Sequence, residues 1–309
     1  MSDVRVMTYN VRYFGHQLRG LASTRGGIVR IARAIAALSP TPHIVCLQEV
    51  ETSSIRSNIL RRGSVEETQL SRLVHEIDLA LAAASKSERF KGYYFPAHDY
   101  RLTDRTSVYT TGLAVLARSD VHVSHDNSDG PRAITAQSAM MGRLKQSRIC
   151  GHLVFRTAEG AEIDIFNTHL SLPNILAKRF WTEPARMGFG DNQLAEAKAL
   201  ADFVQEEQRG QHFIVAGDFN ALPGSPVDRY LREERGMSDG LQSTLGVPAN
   251  EARAYPTAGF MNLRMHLDHL YASPSLEWID SEGTRPFGTP GPFHGLSDHV
   301  PILANVRPR

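Results

Sequence analysis

Six short polar clusters stand at the ends of apolar stretches along the 309-residue chain. Each sets Asn, Asp, Glu or His beside a run of about the length of one strand. They read T-Y-N-V-R at 8–12, L-Q-E-V at 47–50, N-T-H-L at 167–170, G-D-F-N at 217–220, L-D-H-L-Y at 267–271 and S-D-H-V-P at 297–301. A single such Asp is more typical of a turn or a helix cap. Six in one chain indicate a catalytic site, because layered α/β proteins gather their ligands at strand ends.

The clusters are rich in hard oxygen donors. They supply carboxylates and side-chain amides at five positions: Glu49, Asp218, Asp298, Asn10 and Asn220. Such oxygens are the ligands that Mg²⁺ and Mn²⁺ prefer. A zinc site would take more nitrogen and sulfur, and the sequence has neither a cysteine pair at zinc spacing nor H-E-x-x-H. We therefore expect a Mg²⁺ cofactor for which Mn²⁺ substitutes.

Two histidines belong to the same clusters. His169 and His299 can each donate a hydrogen bond to a phosphoryl oxygen, and the second ring nitrogen of His299 can bond a carboxylate. Since several carboxylates surround them in the motif set, we expect both imidazoles to be partly protonated. That charge suits the binding of an oxyanion.

The elements that carry these residues alternate between strand-like and helix-like patterns. Apolar periodicity predicts helices over 28–38, 65–84 and 192–208, with Asp191 as the N-cap of the third. Strands are predicted over 4–11, 43–48, 90–95, 112–118, 147–156, 161–168, 212–217, 267–272 and 300–306. This alternation favours a layered α/β architecture. We expect one domain over residues 1–309.

The overall charge excludes one class of protein. Lys and Arg number 34 against 33 Asp and Glu, a net charge of +1. A protein that coats nucleic acid would be strongly basic, although a local basic groove is still compatible with this balance. Cys46 and Cys150 are predicted to be reduced, buried thiols. No signal-like segment or membrane-length apolar run is visible, so a cytoplasmic protein is expected.

The ordered motif series resembles that of the endonuclease/exonuclease/phosphatase superfamily. That group includes deoxyribonuclease I, abasic-site endonucleases, inositol-polyphosphate 5-phosphatases and neutral sphingomyelinases. The resemblance runs from Asn10 to His299 in the family's order. It implies an α/β four-layered sandwich, in which two packed mixed β-sheets are flanked by helices and the active site lies at one edge.

The resemblance also implies a metal site. Glu49 would be the principal ligand, with Asn10 and Asp298 near the same ion. The activity implied is hydrolysis of a phosphate ester by in-line attack of water. Phosphate esters are anionic, so neutralisation of their charge is the first requirement of such chemistry.

Five further residues receive catalytic roles from the resemblance. Asp218 would orient and deprotonate the attacking water, and Asn220 would hold the scissile phosphate. His169 and His299 would bind the phosphoryl oxygens as charge develops, with Asp268 fixing the tautomer of His299. A buried salt bridge or a turn cap is the alternative role for Asp268.

One departure from the family pattern concerns His169. Some nuclease members carry a Glu just before the strand that matches 112–118, where it supports the first histidine. This chain has Thr110 and Thr111 in that region. The orientation of His169 must therefore come from another group or from water.

The substrate stays open between several classes. The chain has no Lys/Arg-rich insertion like that of abasic-site endonucleases, and N-T-H-L continues into S-L-P-N, unlike the inositol phosphatases. The favoured interpretation is a phosphodiesterase acting on nucleic acid or on a small diester. A lipid-headgroup phosphodiesterase is the alternative, because Phe180, Trp181 and Phe189 lie in the long segment 171–190. A non-catalytic binding protein is disfavoured, since a scaffold has no need to keep the whole catalytic set.

Overall fold

The computed structural model describes residues 3–14, 25–51, 68–103, 106–135, 148–173, 187–260, 263–283 and 291–309. Within them the α-helices are α1 (Arg25–Ala36), α2 (Gln69–Ala83), α3 (Asp191–Glu207), α4 (Pro226–Arg229), α5 (Gly240–Leu245) and α6 (Ala249–Ala252). The strands are β1 (Val4–Asn10), β2 (Ile44–Glu51), β3 (Phe90–Thr103), β4 (Thr106–Arg118), β5 (His122–Asp126), β6 (Arg132–Ala133), β7 (Ile149–Arg156), β8 (Glu162–His169), β9 (Phe213–Asp218), β10 (Ser238–Asp239), β11 (Ala258–Phe260), β12 (Leu263–Met265), β13 (Asp268–Ala272), β14 (Leu276–Gly283) and β15 (Ile302–Pro308).

The longer strands form two mixed sheets. Among the described residues, the first sheet has the order β14-β15-β1-β2-β4-β3, and the second has the order β10-β13-β9-β8-β7-β5, with β6 on β7. Near the middle of each sheet lies a parallel pair, β1 with β2 and β8 with β9. Because the strands of a parallel pair end at the same edge, this topology brings four strand ends to one side of the molecule.

The two sheets pack face to face through an apolar core. Strand β1 shows the pattern: Val4 and Val6 face the second sheet, and Met7 and Tyr9 face the helices on the other side. Alternation with a period of two explains this division. Since both faces are covered, every residue of β1 is buried.

Helices cover the outer face of each sheet. Helices α1 and α2 pack on the first sheet, where Ile31 and Leu73 join its apolar cluster. Helix α3 packs on the second sheet, where Leu200 and Val204 join Phe166. The layers therefore run helix, sheet, sheet, helix, which confirms the expected four-layered α/β sandwich.

Some local predictions are wrong. Helix α3 begins at Asp191 with Gly190 in the N-cap position, so Asp191 lies in the first turn instead of capping it. Residues 119–135, for which no strand was predicted, contain β5 and β6, both paired with β7. Helices α4 and α5 and strand β14 have no counterpart in the sequence prediction.

Part of segment 171–190 lies outside the described residues. The gap spans 174–186 and includes Phe180 and Trp181. The lipid-contact hypothesis for this segment therefore stays a prediction. Separately, no described helix has the length and apolar character that a bilayer span requires, and Cys46 and Cys150 are buried free thiols.

His43, just before β2, makes stability depend on pH. Its Nδ1 accepts a hydrogen bond of 3.0 Å from the backbone N–H of Arg5, which requires a neutral ring. Burial and the charge of Arg118 lower the pKa of His43 to about 4. The unfolded chain, with a pKa of about 6.5, then binds a proton more readily than the folded one. The contribution of neutral His43 to the free energy of unfolding is fully present above about pH 6.5 and is lost as the pH falls towards 4.

We expect acidification to lower the free energy of unfolding by on the order of 2 kcal/mol through His43, allowing for the partial exposure of the ring. Urea unfolding at about pH 7.5 and about pH 4.5 measures it. The variant His43→Asn keeps an acceptor for Arg5 N–H but cannot titrate. It should lose less unfolding free energy between the two pH values than the wild type. Equal losses in both proteins would show that His43 does not carry the effect.

Candidate active site

The polar side chains at the strand ends lie together at one end of the core between the sheets. Asn10, Asp218 and Asp268 continue the rows of residues that face this core on β1, β9 and β13, and His169 does so on β8. Strand pairing sets them side by side: Asp218 is the register partner of His169 on one side and of Asp268 on the other. Period-two alternation thus aims four functional side chains into one space.

Glu49 reaches the same space through a β-bulge. Between the pairs Leu47–Ala114 and Val50–Gly112, two residues of β2 face a single residue of β4. Glu49 has a φ of 57° in this bulge, a conformation that costs energy for a residue other than Gly. Bulges re-aim side chains, and here Glu49 Oε1 lies 3.2 Å from Asn10 Nδ2.

Gly217 permits the close approach of β8 and β9. A Cβ atom at this position would lie 2.1 Å from the carbonyl oxygen of Thr168. Only glycine fits so close to a neighbouring backbone. The G-D sequence at 217–218 therefore has a steric cause: Gly217 lets β9 pack on β8 so that Asp218 stands beside His169.

Asp218 contacts both site asparagines and lies beside both site histidines. Its side chain is 2% exposed. Oδ2 accepts a hydrogen bond of 3.0 Å from Asn10 Nδ2, and Oδ1 accepts one of 3.0 Å from Asn220 N–H. Burial and the charge of Asp268 raise the pKa of Asp218 to about 7, against the opposing effect of His299. Such a carboxylate can accept a proton near neutral pH.

His299 is held between two carboxylates. Its Nδ1 lies 2.8 Å from Asp268 Oδ2, and its Nε2 lies 3.7 Å from Asp218 Oδ2. Burial disfavours the charged ring, but the charges of Asp268 and Asp218 outweigh it and raise the pKa of His299 to about 10. The ring is therefore an imidazolium cation at neutral pH, with Nε2–H directed into the site.

His169 has the opposite charge state. Burial, together with the positive charges of Arg148 and His299, holds the pKa of His169 well below its usual value. The expectation that both histidines are partly protonated is thus wrong for His169, because the ring is buried and lies near cations as well as carboxylates. Nε2 lies 3.3 Å from Asn220 Nδ2 and 3.4 Å from Asp218 Oδ2. These two residues supply the orientation; the side chains of Thr110 and Thr111 lie outside the described residues.

The backbone of Asn220 has an uncommon conformation. Its φ is 48°, in the left-handed region that Asn adopts more readily than most residues. One amide hydrogen bonds Leu170 O at 2.9 Å, and the other faces His169. Gln193, buried on α3, donates to Asn220 O at 2.8 Å. In this structure the Asn220 amide thus orients His169, and a direct contact with phosphate requires it to exchange one of these bonds.

Arg12 is a site residue that the sequence reasoning did not single out. Its guanidinium forms an ion pair with Asp298, and its backbone N–H donates to Asn10 Oδ1 at 3.0 Å. The Asn10 oxygen therefore faces Arg12, while its nitrogen holds Glu49 and Asp218. The only sequence signal for Arg12 was its place in the T-Y-N-V-R cluster.

Arg148 also lies closer to the site than its sequence position indicates. Nothing in the sequence favours a role in the site over solvent exposure. In the structure it is half-buried, and Nε donates to Ser171 Oγ at 3.3 Å. Its charge lowers the pKa of His169 and opposes the rise in the pKa of Glu49. Arg148 therefore adds positive potential close to the site.

The site carries more acidic than basic side chains among the described residues. Burial raises the pKa of Glu49, and the charge of Asp298 raises it further. The charge of Asp268 has the same effect on Asp218. Buried like charges are costly unless a cation compensates them. Oxygen donors in this arrangement suit a hard divalent cation. Glu49 is held by the Asn10 amide, and Asp298 would exchange its ion pair with Arg12 for the cation.

The fold is similar to several solved structures. An endonuclease/exonuclease/phosphatase family protein from Leptotrichia buccalis has a TM-score of 0.67 at 17% identity, over 98% of this chain and 99% of that one. The human nocturnin catalytic domain with bound sulfate has a TM-score of 0.62 at 19% identity, over 99% and 94%. ANGEL2, a 2′,3′-cyclic phosphatase, in complex with adenosine-2′,3′-vanadate, has a TM-score of 0.63 at 16% identity, over 99% and 96%. At these identities the likeness concerns the fold.

Sequence comparison places the chain more firmly. No curated protein matches it. The model of the Endonuclease/Exonuclease/phosphatase family, however, matches residues 7–299. That range contains every candidate site residue from Asn10 to His299. The chain belongs to the endonuclease/exonuclease/phosphatase family.

Proposed function

We propose that the protein is a divalent-metal-dependent phosphodiesterase that uses water as its nucleophile. One observation carries the proposal: the Asp218 carboxylate lies within 3.7 Å of the Nε2 atoms of both His169 and His299. A base, a cationic donor and a neutral imidazole thus meet at one point. In-line displacement at phosphorus needs a base on one side and stabilisation of the developing negative charge around it.

Glu49 and Asp298 would hold the cation. Enzymes of this family are generally dependent on a divalent metal, and Mg²⁺ suits an all-oxygen donor set. When bound, the cation supplies neutralisation of the phosphate charge and lowers the barrier to attack. Asn10 keeps the Glu49 and Asp218 carboxylates in place through its amide nitrogen.

Asp218 would orient and deprotonate the attacking water. Its pKa of about 7 places its carboxylate close to the operating range of a general base. Asn10 Nδ2 and Asn220 N–H each donate a hydrogen bond to one oxygen of Asp218. These two bonds fix the orientation of the Asp218 side chain. The second lone pair of each oxygen is left for water or for the histidines.

His299 would bind a phosphoryl oxygen and stabilise the charge that develops on it. Its Nε2–H is cationic, and donors of this kind are about twice as strong as neutral ones. Asp268 fixes the ring by accepting the hydrogen bond from Nδ1. His169 would add an uncharged contact on the other side of Asp218.

We infer that residues 1–309 form one catalytic domain. Asn10 and Glu49 come from the first sheet, whereas His169 and Asp218 come from the second. The site therefore needs both sheets, and the core between them supports it.

A diester is the substrate class that we favour. ANGEL2, a similar fold, is a 2′,3′-cyclic phosphatase, and a cyclic phosphate is a diester. The described cations at the site, His299, Arg12 and Arg148, suit an anionic substrate. A net charge of +1 gives no support to extensive wrapping of nucleic acid.

Hydrolysis assays with and without metal test the proposal. The panel comprises bis(p-nitrophenyl) phosphate, p-nitrophenyl phosphate, DNA, RNA and a 2′,3′-cyclic nucleotide. We expect EDTA to abolish turnover, Mg²⁺ or Mn²⁺ to restore it, and the diesters to react faster than the monoester. Full activity in EDTA would refute the metal dependence, and preference for the monoester would refute the substrate class.

Replacement of His299 by Ala should lower kcat by about 10²-fold, the usual loss when one preorganised donor is removed. The concentration of Mg²⁺ that gives half-maximal rate should not change, because His299 is not a proposed ligand. Steady-state rates over a Mg²⁺ series measure both quantities. The matched control is His152→Ala. This variant removes a buried histidine that lies away from the site, where its Nε2 is 2.7 Å from Asp164 Oδ1. Rescue of His299→Ala by added Mg²⁺ would assign His299 to the cation instead.

A further inference from the structure

Two buried histidines, one on β13 and one just before it, lie on the side of this strand opposite the catalytic site. Asp268 faces the core between the sheets, so His269, the next residue, faces the α3 side with Tyr271. His266 lies 4.8 Å from His269 between ring centroids. Asp239, at the end of β10, completes what we call the Asp239–His266–His269 cluster. The three residues are 2%, 1% and 0% exposed.

Backbone carbonyls fix which ring nitrogens carry lone pairs. His269 Nε2 lies 2.9 Å from Ala221 O, and His266 Nδ1 lies 2.7 Å from Tyr255 O. A carbonyl oxygen only accepts, so both of these nitrogens must be protonated donors. In the neutral rings the lone pairs are therefore on His269 Nδ1 and His266 Nε2.

The three residues stand close enough together to share one ion. One ligand atom from each residue can be chosen so that all three lie within 4.8 Å of one another, and His269 Nδ1 is 2.9 Å from Asp239 Oδ2. His266 Nε2 is buried and has no hydrogen-bond partner among the described residues. A buried nitrogen without a partner is costly, so its presence here points to a ligand.

We propose that the Asp239–His266–His269 cluster is a second metal site, which binds Zn²⁺ through His266 Nε2, His269 Nδ1 and Asp239. Two imidazoles and a carboxylate form a donor set that binds zinc in preference to magnesium. Tetrahedral zinc with bonds of about 2.0–2.1 Å places its ligands about 3.3 Å apart. Binding would draw the ligand atoms, which now lie within 4.8 Å of one another, towards that spacing, and a water molecule can fill the fourth position.

The surroundings match those of metal-binding histidines. A ligating histidine almost always donates its other ring N–H to a carbonyl or carboxylate, which fixes the tautomer. Both histidines do so here, to Ala221 and Tyr255. Asp239 is held too, because one carboxylate oxygen accepts from Gln242 N–H at 2.9 Å.

A simple ion pair explains less. A proton shared between His269 Nδ1 and Asp239 Oδ2 accounts for their 2.9 Å separation, but it gives His266 Nε2 no partner. Zinc would replace that proton, release it to solvent and bond all three atoms. The site would then join β10, β13 and the residues just before β13, and Ala221 would connect it to the turn that carries Asn220.

Zinc binding by the full-length protein tests the proposal directly. Protein freed of metal is titrated with Zn²⁺ by calorimetry and with Co²⁺ by visible absorption. We expect about one tight site, with the intense absorption of low-coordinate Co²⁺. Glu49→Gln, which alters only the proposed catalytic cation site, should bind Zn²⁺ as the wild type does. His266→Gln should weaken Zn²⁺ binding by more than the 10- to 100-fold typical of losing a supporting partner.

Two results would overturn the inference: absence of Zn²⁺ and Co²⁺ binding by the folded wild type, or unchanged Zn²⁺ affinity in folded His266→Gln. Where His266→Gln fails to fold, X-ray absorption at the zinc edge of Glu49→Gln decides instead. Two imidazole ligands and a carboxylate support the site, and a shell of oxygen alone refutes it. None of these readouts depends on catalytic activity, so they stand apart from the proposed function.

Discussion

Replacing Asp218 with Asn should lower kcat on a diester by about 10³- to 10⁴-fold, near the upper limit for loss of a general base. The amide has the same shape but cannot accept the proton of the attacking water. The new amide group would also present its hydrogens to Asn10 Nδ2 or to Asn220 N–H, both of which are donors. One contact must therefore become a clash of donors, which disturbs the position of the side chain as well as its charge.

Rates at saturating substrate and Mg²⁺ measure the effect, with thermal unfolding as a check on the fold. Asp164→Asn is the matched control, because Asp164 is also a fully buried carboxylate beside a histidine, on β8. That variant should lose stability but retain kcat per folded molecule. A decrease of less than about tenfold for Asp218→Asn would remove Asp218 from the role of base.

The architecture followed from the sequence where periodicity was strong. Val4 and Val6 alternate with Met7 and Tyr9 on a strand buried on both faces, and that pattern predicted β1 almost to the residue. Alternation also explains why Asn10 points into the site, since it continues the Val6 row. The short helices α4 and α5 escaped prediction because four to six residues carry too little periodicity to register.

The orientation of Glu49 could not be predicted from the sequence. Ile44, Cys46 and Gln48 face the core between the sheets, so strict alternation would turn Glu49 towards the helices. The bulge against β4 reverses this, and nothing in L-Q-E-V predicts it. The motif identified Glu49 as a candidate; only the register shows how it reaches Asn10.

Charge states were also beyond the sequence. Both histidines stand beside carboxylates, yet His299 is cationic and His169 is neutral. Burial and the nearby charge of Arg148 lower the pKa of His169, whereas the pairing with Asp268 outweighs burial at His299. Residue types alone give an average environment; pKa values depend on distances of a few ångströms. Arg12 illustrates the same limit, since its pairing with Asp298 joins residues 286 positions apart.

Replacing Glu49 with Gln should raise the Mg²⁺ concentration for half-maximal rate by about 10²- to 10³-fold. This range follows from the attraction of about 4 kcal/mol between charges about 4 Å apart at an effective dielectric constant of about 20. At limiting Mg²⁺ the variant should be nearly inactive, and excess Mg²⁺ should restore part of the rate, because Asp218 and His299 stay in place. The glutamine side chain can still bond Asn10 through its amide oxygen, so the loss isolates the charge.

A Mg²⁺ series on the wild type, Glu49→Gln and Glu196→Gln makes the test specific. Glu196 is fully buried and accepts hydrogen bonds from Ser171 N–H and Oγ, so its replacement should affect stability and leave the Mg²⁺ dependence as it is. Unchanged half-saturation in Glu49→Gln would place the cation elsewhere. A rescue seen for His299→Ala but not for Glu49→Gln would reverse the two assignments, because only a residue that holds the cation can be compensated by more of it.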